Sequence, residues 1–265
     1  MIGSTHHINL VRLHGFCSEK AHRLLVYEYL SRGSLDNYLV HGSETTTSSS
    51  SASSASAASN PGRPHTLPWQ TRFSIALGTA RGITYLHEEC RECIVHCDIK
   101  PENILLDEHF CPKVSDFGLA KLLGLRGRAR HITTIRGTRG YLAPEWTANL
   151  PLTPKADVFS FGMVLLELVV GTRALNTMVS ESEQVRFPAW VYRELMEGNL
   201  VAGIQEQAAK EGQRIDPGQV ERVVYTAFWC ILDEPTSRPT MGKVVQMLEG
   251  SITVEPPPAP PTRKI

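Results

Sequence analysis

Four residues near the middle of the sequence are typed and spaced for work on a charged, oxygen-rich group. The segment Ile94 to Asp107 reads IVHCDIKPENILLD, with Asp98 and Asn103 five positions apart and Lys100 between them. Eighteen residues after Asp98 comes Asp116-Phe117-Gly118, and further on Ala143-Pro144-Glu145. A carboxylate such as Asp98 is ionised at neutral pH and accepts a proton in a fixed direction, which suits it to orienting a hydroxyl. An ammonium such as that of Lys100 neutralises developing negative charge. The side-chain oxygens of Asn103 and Asp116 suit a hard cation. Each residue alone has a plainer reading, since an aspartate in a loop is commonly a turn or helix cap. The ordered set at these spacings favours the chemical reading.

Taken in order, these segments resemble the catalytic loop, the metal-binding triplet and the activation-segment end of protein kinases. The strings LLVYEYLSRGSLDNYL, DVFSFGMVLLEL and SRPTMGKVVQMLEG resemble plant receptor-like Ser/Thr kinases, most of all the lectin-type group. The likeness runs from Ile8 to Gly250. It implies an α+β, protein-kinase-like fold, with a remnant N-terminal β-lobe and a mainly α-helical C-lobe. It also implies transfer of the γ-phosphate of ATP to Ser or Thr of a protein substrate. That reaction asks the protein mainly to position groups and to neutralise charge. On this resemblance Asp98, Lys100 and Asn103 are catalytic. Asp98 takes the hydroxyl proton and Lys100 faces the transferring phosphoryl group. Asn103 and Asp116 hold Mg2+, which bridges the ATP phosphates. Adenine falls to the carbonyl of Glu28, the N–H of Leu30 and the side chain of Leu105, with Tyr27 as gatekeeper. From the residues alone, ordinary strand packing is the better explanation of these four. Glu145 and Arg238 match a buried ion pair of the family, and Asp157 matches the residue that braces the catalytic-loop backbone. Such groups are rarely buried unless paired. Thr138, in Gly137-Thr138-Arg139-Gly140-Tyr141, fits the Ser/Thr-type pattern together with Lys100.

The elements that must position these residues can be read from periodicity. Ile8 to Cys17 and Leu24 to Tyr29 read as strands with a charged turn between them. Ser34 is a candidate N-cap for a short helix from Leu35 to Val40. Trp69 to Glu89 places Phe73, Ile75, Ala76, Leu77, Ala80, Ile83 and Leu86 along one helical face. Ile94-Val95 and Ile104 to Leu106 read as short strands. Val158 to Val170 is apolar nearly all round and reads as a buried helix. Phe187 to Leu200, Val220 to Leu232 and Met241 to Leu248 read as further helices. Residues 43–59 are Ser, Thr or Ala at 16 of 17 positions, which reads as a surface insertion and a plain spacer. The end, Glu255 to Pro261, has five prolines in seven residues and reads as a disordered or polyproline tail. The expected organisation is an N-lobe remnant with hinge at 1–40, an insertion at 41–66, the C-lobe at 67–250 and a Pro-rich tail at 251–265.

Composition closes off other classes. The chain has 27 basic and 27 acidic residues, so it lacks the charge excess of a nucleic-acid binder. No apolar run is long enough for a membrane span; Phe159 to Val170 is short and contains Glu167. The start has no basic stretch followed by an apolar run, so no signal peptide is expected. A cytoplasmic chain follows, with a parent receptor at the cytoplasmic face of the plasma membrane implied by the resemblance. Cys90-x2-Cys93 invites a zinc reading, but no second pair lies at a matching distance. Reduced thiols are the expectation.

Three features depart from the family pattern. No G-x-G occurs anywhere, and the first lysine is Lys20, in the expected turn. The Gly-rich loop and its partner lysine are therefore absent, and the chain reads as a kinase domain truncated at its N-terminus. An interaction module of impaired catalysis, or a non-functional fragment, is the alternative. Cys97 stands where most kinases place Arg, which matches the non-RD group and removes a partner for an activation-segment phosphate. Lys121, Arg126, Arg128, Arg130, Arg136 and Arg139 make that segment basic, with Thr133, Thr134 and Thr138 as hydroxyl candidates. The segment is either a solvated loop or a surface for acidic groups.

Overall fold

The structure, a computed structural model, describes residues 6–20, 22–39, 67–123, 137–148, 150–173 and 187–259. The Ser/Ala-rich insertion lies outside the described residues, as do Arg126, Arg128, Arg130, Thr133, Thr134 and Arg136.

Strands β1 (Leu13–Glu19) and β2 (His22–Tyr27) form an antiparallel hairpin. The first strand begins later than the apolar run from Ile8 suggests. The reason is a competing partner. Leu10 bridges Val114, the Val11 N–H donates to the Val114 carbonyl at 2.9 Å, and the Val114 N–H donates to the Asn9 carbonyl at 2.9 Å. One apolar run is thus divided between two sheets. Tyr29 also falls outside β2, because the chain leaves the hairpin to meet the larger lobe. There the Leu106 N–H donates to the Gly33 carbonyl at 2.8 Å. Leu35–Tyr38 is one 3-10 turn, shorter than the expected helix to Val40. Ser34 stands at the N-cap as expected but its side chain caps no backbone N–H; its backbone bridges Leu105 and its hydroxyl accepts from Asn37.

Helix α1 (Trp69–Thr84) continues as a π-type turn through Tyr85–Glu89, so the expected helix is present along its whole length. Four short strands follow: β3 (Cys93–Val95), β4 (Ile104–Leu106), β5 (Pro112–Val114) and β6 (Lys121–Leu123). β3 pairs with β6 and β4 with β5, both antiparallel. β5 and β6 escape a periodicity reading because three residues are too few to show alternation. The single-turn helix α2 (Pro144–Thr147) precedes α3 (Lys155–Val170), which is buried on nearly every side.

The expected helix from Phe187 to Leu200 is two helices, α4 (Phe187–Met196) and α5 (Asn199–Lys210). Gly198 separates them at φ 76°, a left-handed conformation that only glycine adopts at little cost. Helix α6 (Pro217–Cys230) starts with Asp216, whose carboxylate accepts from the Gly218 N–H at 3.1 Å, and Pro217 at its first position. Helix α7 (Met241–Glu249) starts at Thr240, whose hydroxyl accepts from the Lys243 N–H.

Helix α3 is the axis of the core. Phe161, Val164, Leu165, Leu166 and Leu168 are all buried in one continuous apolar cluster with residues of α1 and α6. Each such side chain contributes roughly 1.5–3 kcal/mol on leaving water. α3 and α6 approach closely at Gly162, where an added Cβ would lie 2.7 Å from Cys230 Cβ and from Ile231 Cγ2. Residues 253–259 form neither helix nor strand, and part of the tail lies on this lobe. The Trp229 indole N–H donates to the Glu255 carbonyl at 2.9 Å and Pro257 is buried. All six cysteines are free thiols. Burial pushes the Cys93 thiol up to about 11 and that of Cys230 to about 12, so neither is a thiolate at neutral pH. Among the described residues no helix is long and apolar enough to cross a membrane.

Candidate active site

The loop between β3 and β4 carries Asp98, Lys100 and Asn103, and its shape is set from beneath by α3. Asp157, in the first turn of α3, is buried and accepts from the His96 N–H at 2.7 Å and the Cys97 N–H at 2.8 Å. His87 Nε2 reaches the same carboxylate at 2.8 Å. Burial alone would raise the Asp157 pKa. The hydrogen bond and charge of His87, with help from His96, more than offset this and hold it below the usual range. The brace holds Cys97 at φ 71°, an uncommon conformation for a side-chain-bearing residue. The Cys97 thiol is buried and donates to the Val95 carbonyl, so the position where a cation is usual carries none.

His96 fixes the next residue. Its Nδ1 accepts from the Asp98 N–H at 3.2 Å, which assigns the ring hydrogen to Nε2, and Nε2 donates to the Ser115 carbonyl at 2.8 Å. Burial lowers the His96 pKa, so the ring is neutral, as this pair of bonds requires.

Three sequence-predicted residues then converge with Thr138. Lys100 Nζ lies 2.9 Å from Asp98 Oδ2 and donates to Thr138 Oγ1 at 2.8 Å. The Thr138 hydroxyl donates to Asp98 Oδ1 at 2.9 Å. Asn103 Nδ2 donates to the Asp98 carbonyl at 2.9 Å and to Asp98 Oδ2 at 3.0 Å. Asp98 is thus seen accepting from an aliphatic hydroxyl while an ammonium stands beside it.

Asp116 joins from the following loop. The Ser115 N–H and hydroxyl both bond the Asn103 carbonyl, at 2.8 and 3.0 Å, which puts the two segments side by side. Asp116 is exposed at φ 60°, and its Oδ1 accepts from the Gly118 N–H at 3.1 Å. The donor set suits a hard divalent cation. With its nitrogen committed to Asp98, the Asn103 amide has its oxygen available, and Asp116 brings an exposed carboxylate.

The expected adenine residues lie on another strip. Leu30 is buried, Tyr27 is exposed at the end of β2, and Leu105 is half-buried where β4 meets Ser34. The Glu28 N–H donates to the Arg12 carbonyl at 3.0 Å, and its carboxylate accepts from the Arg12 N–H at 2.7 Å and from Lys113 at 3.1 Å.

Glu145 and Arg238 meet as expected, in a two-pronged pair at 2.7 and 2.8 Å, both fully buried. The guanidinium also donates to the carbonyls of Leu232, Lys155 and Asp233, so all five of its N–H groups are engaged. Several positioning groups escaped the sequence reading: His87, Ser160, Tyr141 and Glu167. Ser160 Oγ donates to the Tyr141 carbonyl at 2.7 Å, and the Tyr141 hydroxyl lies 2.8 Å from both Glu167 oxygens. Glu167 alone carried a signal, as a lone acid inside an apolar helix.

The sequence is also similar to known proteins. A family model described as protein kinase domain matches residues 1–248. A G-type lectin S-receptor-like serine/threonine-protein kinase of Arabidopsis thaliana is 56% identical over 262 residues, covering 98% of this chain and 29% of that protein. A second protein of that description from the same plant is 50% identical over 262 residues, covering 98% of this chain and 27% of its own. One from Oryza sativa subsp. indica, LECRK1, is 47% identical over 262 residues, with 98% and 29% covered. The chain spans less than a third of the length of these relatives.

Proposed function

The chain belongs to the protein kinase family, and we propose that it transfers the γ-phosphate of ATP to Ser or Thr of a protein substrate. The observation that carries this reading is the cluster in which Lys100, Asn103 and Thr138 each lie within hydrogen-bond distance of the Asp98 carboxylate. Asp98 orients the acceptor hydroxyl and takes its proton as the phosphorus–oxygen bond forms. It is suited to this because His96 holds its backbone N–H, Asp157 holds those of the two residues before it, and Asn103 and Lys100 hold one oxygen. Lys100 places positive charge where the transferring group gains negative charge. Asn103 and Asp116 would hold Mg2+, which supplies charge neutralisation on the nucleotide phosphates. Glu28, Leu30 and Leu105 are the residues proposed for adenine. The proposed organisation is an N-lobe segment with hinge over 1–40, an insertion over 41–66, a C-lobe over 67–250 and a Pro-rich tail over 251–265. We place the catalytic lobe on the cytoplasmic side of a membrane-anchored parent, in line with the receptor-like names of its relatives.

The test is phosphorylation of a Ser/Thr peptide by the unsubstituted chain and by Asp98→Asn. Loss of about 10²–10⁴-fold in transfer is expected, with binding of a fluorescent ATP analogue left at the level of the unsubstituted chain, which is expected to be weak without a Gly-rich loop and its lysine. Near-normal transfer by Asp98→Asn overturns the assignment. Absence of transfer by the unsubstituted chain favours an interaction module.

A further inference from the structure

One buried charged group has no role in the chemistry above. Arg173 follows the C-terminus of α3 by three residues, and its side chain is 7% exposed. Three elements meet around it. Glu102 comes from the catalytic loop, between Pro101 and Asn103, and its Oε1 accepts from Arg173 Nη2 at 2.7 Å. Glu167 comes from α3; it is fully buried, with Oε1 3.7 Å from Arg173 Nε. Tyr141 comes from the loop that carries Thr138, and its hydroxyl is held by the same Glu167 carboxylate. Burial and the Glu167 charge push the Tyr141 phenol far up, so it stays protonated and donates.

The placement on α3 gives these contacts a common purpose. Asp157, Ser160 and Glu167 are spaced three and seven apart, so they share one stripe of the helix. Asp157 holds the catalytic loop by its backbone, and Ser160 holds the Tyr141 carbonyl. Glu167 holds the Tyr141 side chain. Arg173 links this last anchor to Glu102, and so joins the two loops through side chains. Those loops must keep register to within a few tenths of an ångström, because Thr138 is bonded to Asp98 and Lys100 across the gap between them.

We infer that Arg173 is a positioning residue for the acceptor side of the site: by bridging Glu102 and Glu167 it locks the catalytic loop to the Thr138 loop. This rests on the kinase reading proposed above, and it assigns Arg173 more than the role of counter-charge. A counter-charge would only offset the cost of burying Glu167. A positioning bridge also depends on the shape of the guanidinium, which bonds Glu102 through Nη2 while Nε stands at ion-pair distance, 3.7 Å, from Glu167.

The two roles separate in the intact chain with Arg173→Met, Arg173→Lys and the double variant Arg173→Met with Glu167→Gln. Arg173→Met should speed amide hydrogen exchange in Ile99–Asn103 and Gly137–Leu142 by about tenfold, with α6 and α7 unchanged. It should raise the KM for an acceptor peptide about tenfold and leave the KM for ATP within about twofold. Arg173→Lys keeps the charge and should recover stability but only part of the acceptor KM. The double variant removes the unpaired buried charge, so its melting temperature should return while loop exchange and acceptor KM stay impaired. Full recovery of both in the double variant would reduce Arg173 to a counter-charge and overturn the inference. Uniformly faster exchange through α6 and α7 in Arg173→Met would overturn it as well. If the unsubstituted chain phosphorylates no peptide, the kinase reading fails, and the exchange measurements alone still decide whether Arg173 couples the loops.

Discussion

The β1–β2 hairpin and helix α3 are both rich in apolar side chains, yet they treat them in opposite ways. On the hairpin and its exit, Phe16 is 76% exposed, Leu25 60% and Tyr29 89%. In α3, Phe161, Val164, Leu165 and Leu166 are fully buried. The difference lies in neighbours. Helix α3 has α1 on one side, α6 on another and the site loops along its polar stripe. Among the described residues the hairpin is held by its two ends, through Val11 with Val114 and Gly33 with Leu106. An isolated two-stranded ribbon is marginal in water, and an exposed apolar strand edge favours association. Apolar content therefore says little about stability until the covering elements are known.

Several measurements would sharpen or break this contrast. The largest effect should come from Arg238→Met, which strands the buried Glu145 carboxylate; about 3–5 kcal/mol of stability should be lost in chemical denaturation. Leu165→Ala should cost about 2–5 kcal/mol by opening a cavity in the α3 core. Gly162→Ala should cost roughly 1–3 kcal/mol, because the added methyl meets Cys230 and Ile231 with no room to yield. A neutral outcome at Gly162 would mean that α3 and α6 are less tightly seated than their geometry indicates. In the hairpin, Phe16→Ser and Leu25→Thr should each stay within about 0.5 kcal/mol while reducing concentration-dependent light scattering. Equal amide protection of β2 and α3 in a monomeric sample would remove the contrast altogether.

The smallest effect expected is with pH. His96 is buried with its pKa lowered, so the unfolded chain binds a proton that the folded chain refuses. Stability should be fully present above the ordinary histidine value of about 6.5 and decline as pH falls below it. His7 is lowered by burial too and adds in the same direction. The depressed Asp157 adds stability that is present above about pH 4 and is lost as pH falls through its folded value. His96→Gln should flatten the decline of melting temperature between pH 7 and 5; an unchanged slope would show that His96 does not control it.

Long periodic segments were the most legible part of the fold. Trp69 to Glu89 and Val158 to Val170 carry enough turns for the helical period to show. Phe187 to Leu200 misled, because its helical pattern runs across Gly198 without a visible break, and only the positive φ there divides it. Ile8 to Cys17 misled for a different reason: a strand's partner is chosen by distant chain, here Val114, which local pattern cannot reveal. In the proposed site, spacing and family resemblance singled out Asp98, Lys100, Asn103 and Asp116, and the structure brings the first three together. Their supports were not, since His87 lies nine residues before His96 on another element and Glu167 lies twenty-six residues after Tyr141.

By itself, the sequence determined the types and order of the groups proposed to handle a hydroxyl, a phosphoryl group and a metal, because those depend on side-chain chemistry and short spacing. It also determined that one helix had to be buried, since Val158 to Val170 is apolar nearly all round. Tertiary structure alone decided which carboxylates face which loops. Asp157, Ser160 and Glu167 act on one stripe of α3 only because α3 runs beneath both loops, and Arg173 meets Glu102 only because the chain returns past the catalytic loop after leaving the helix. Hydrogen bonds and ion pairs act over a few ångströms, and distances along the chain do not fix distances of that size in space.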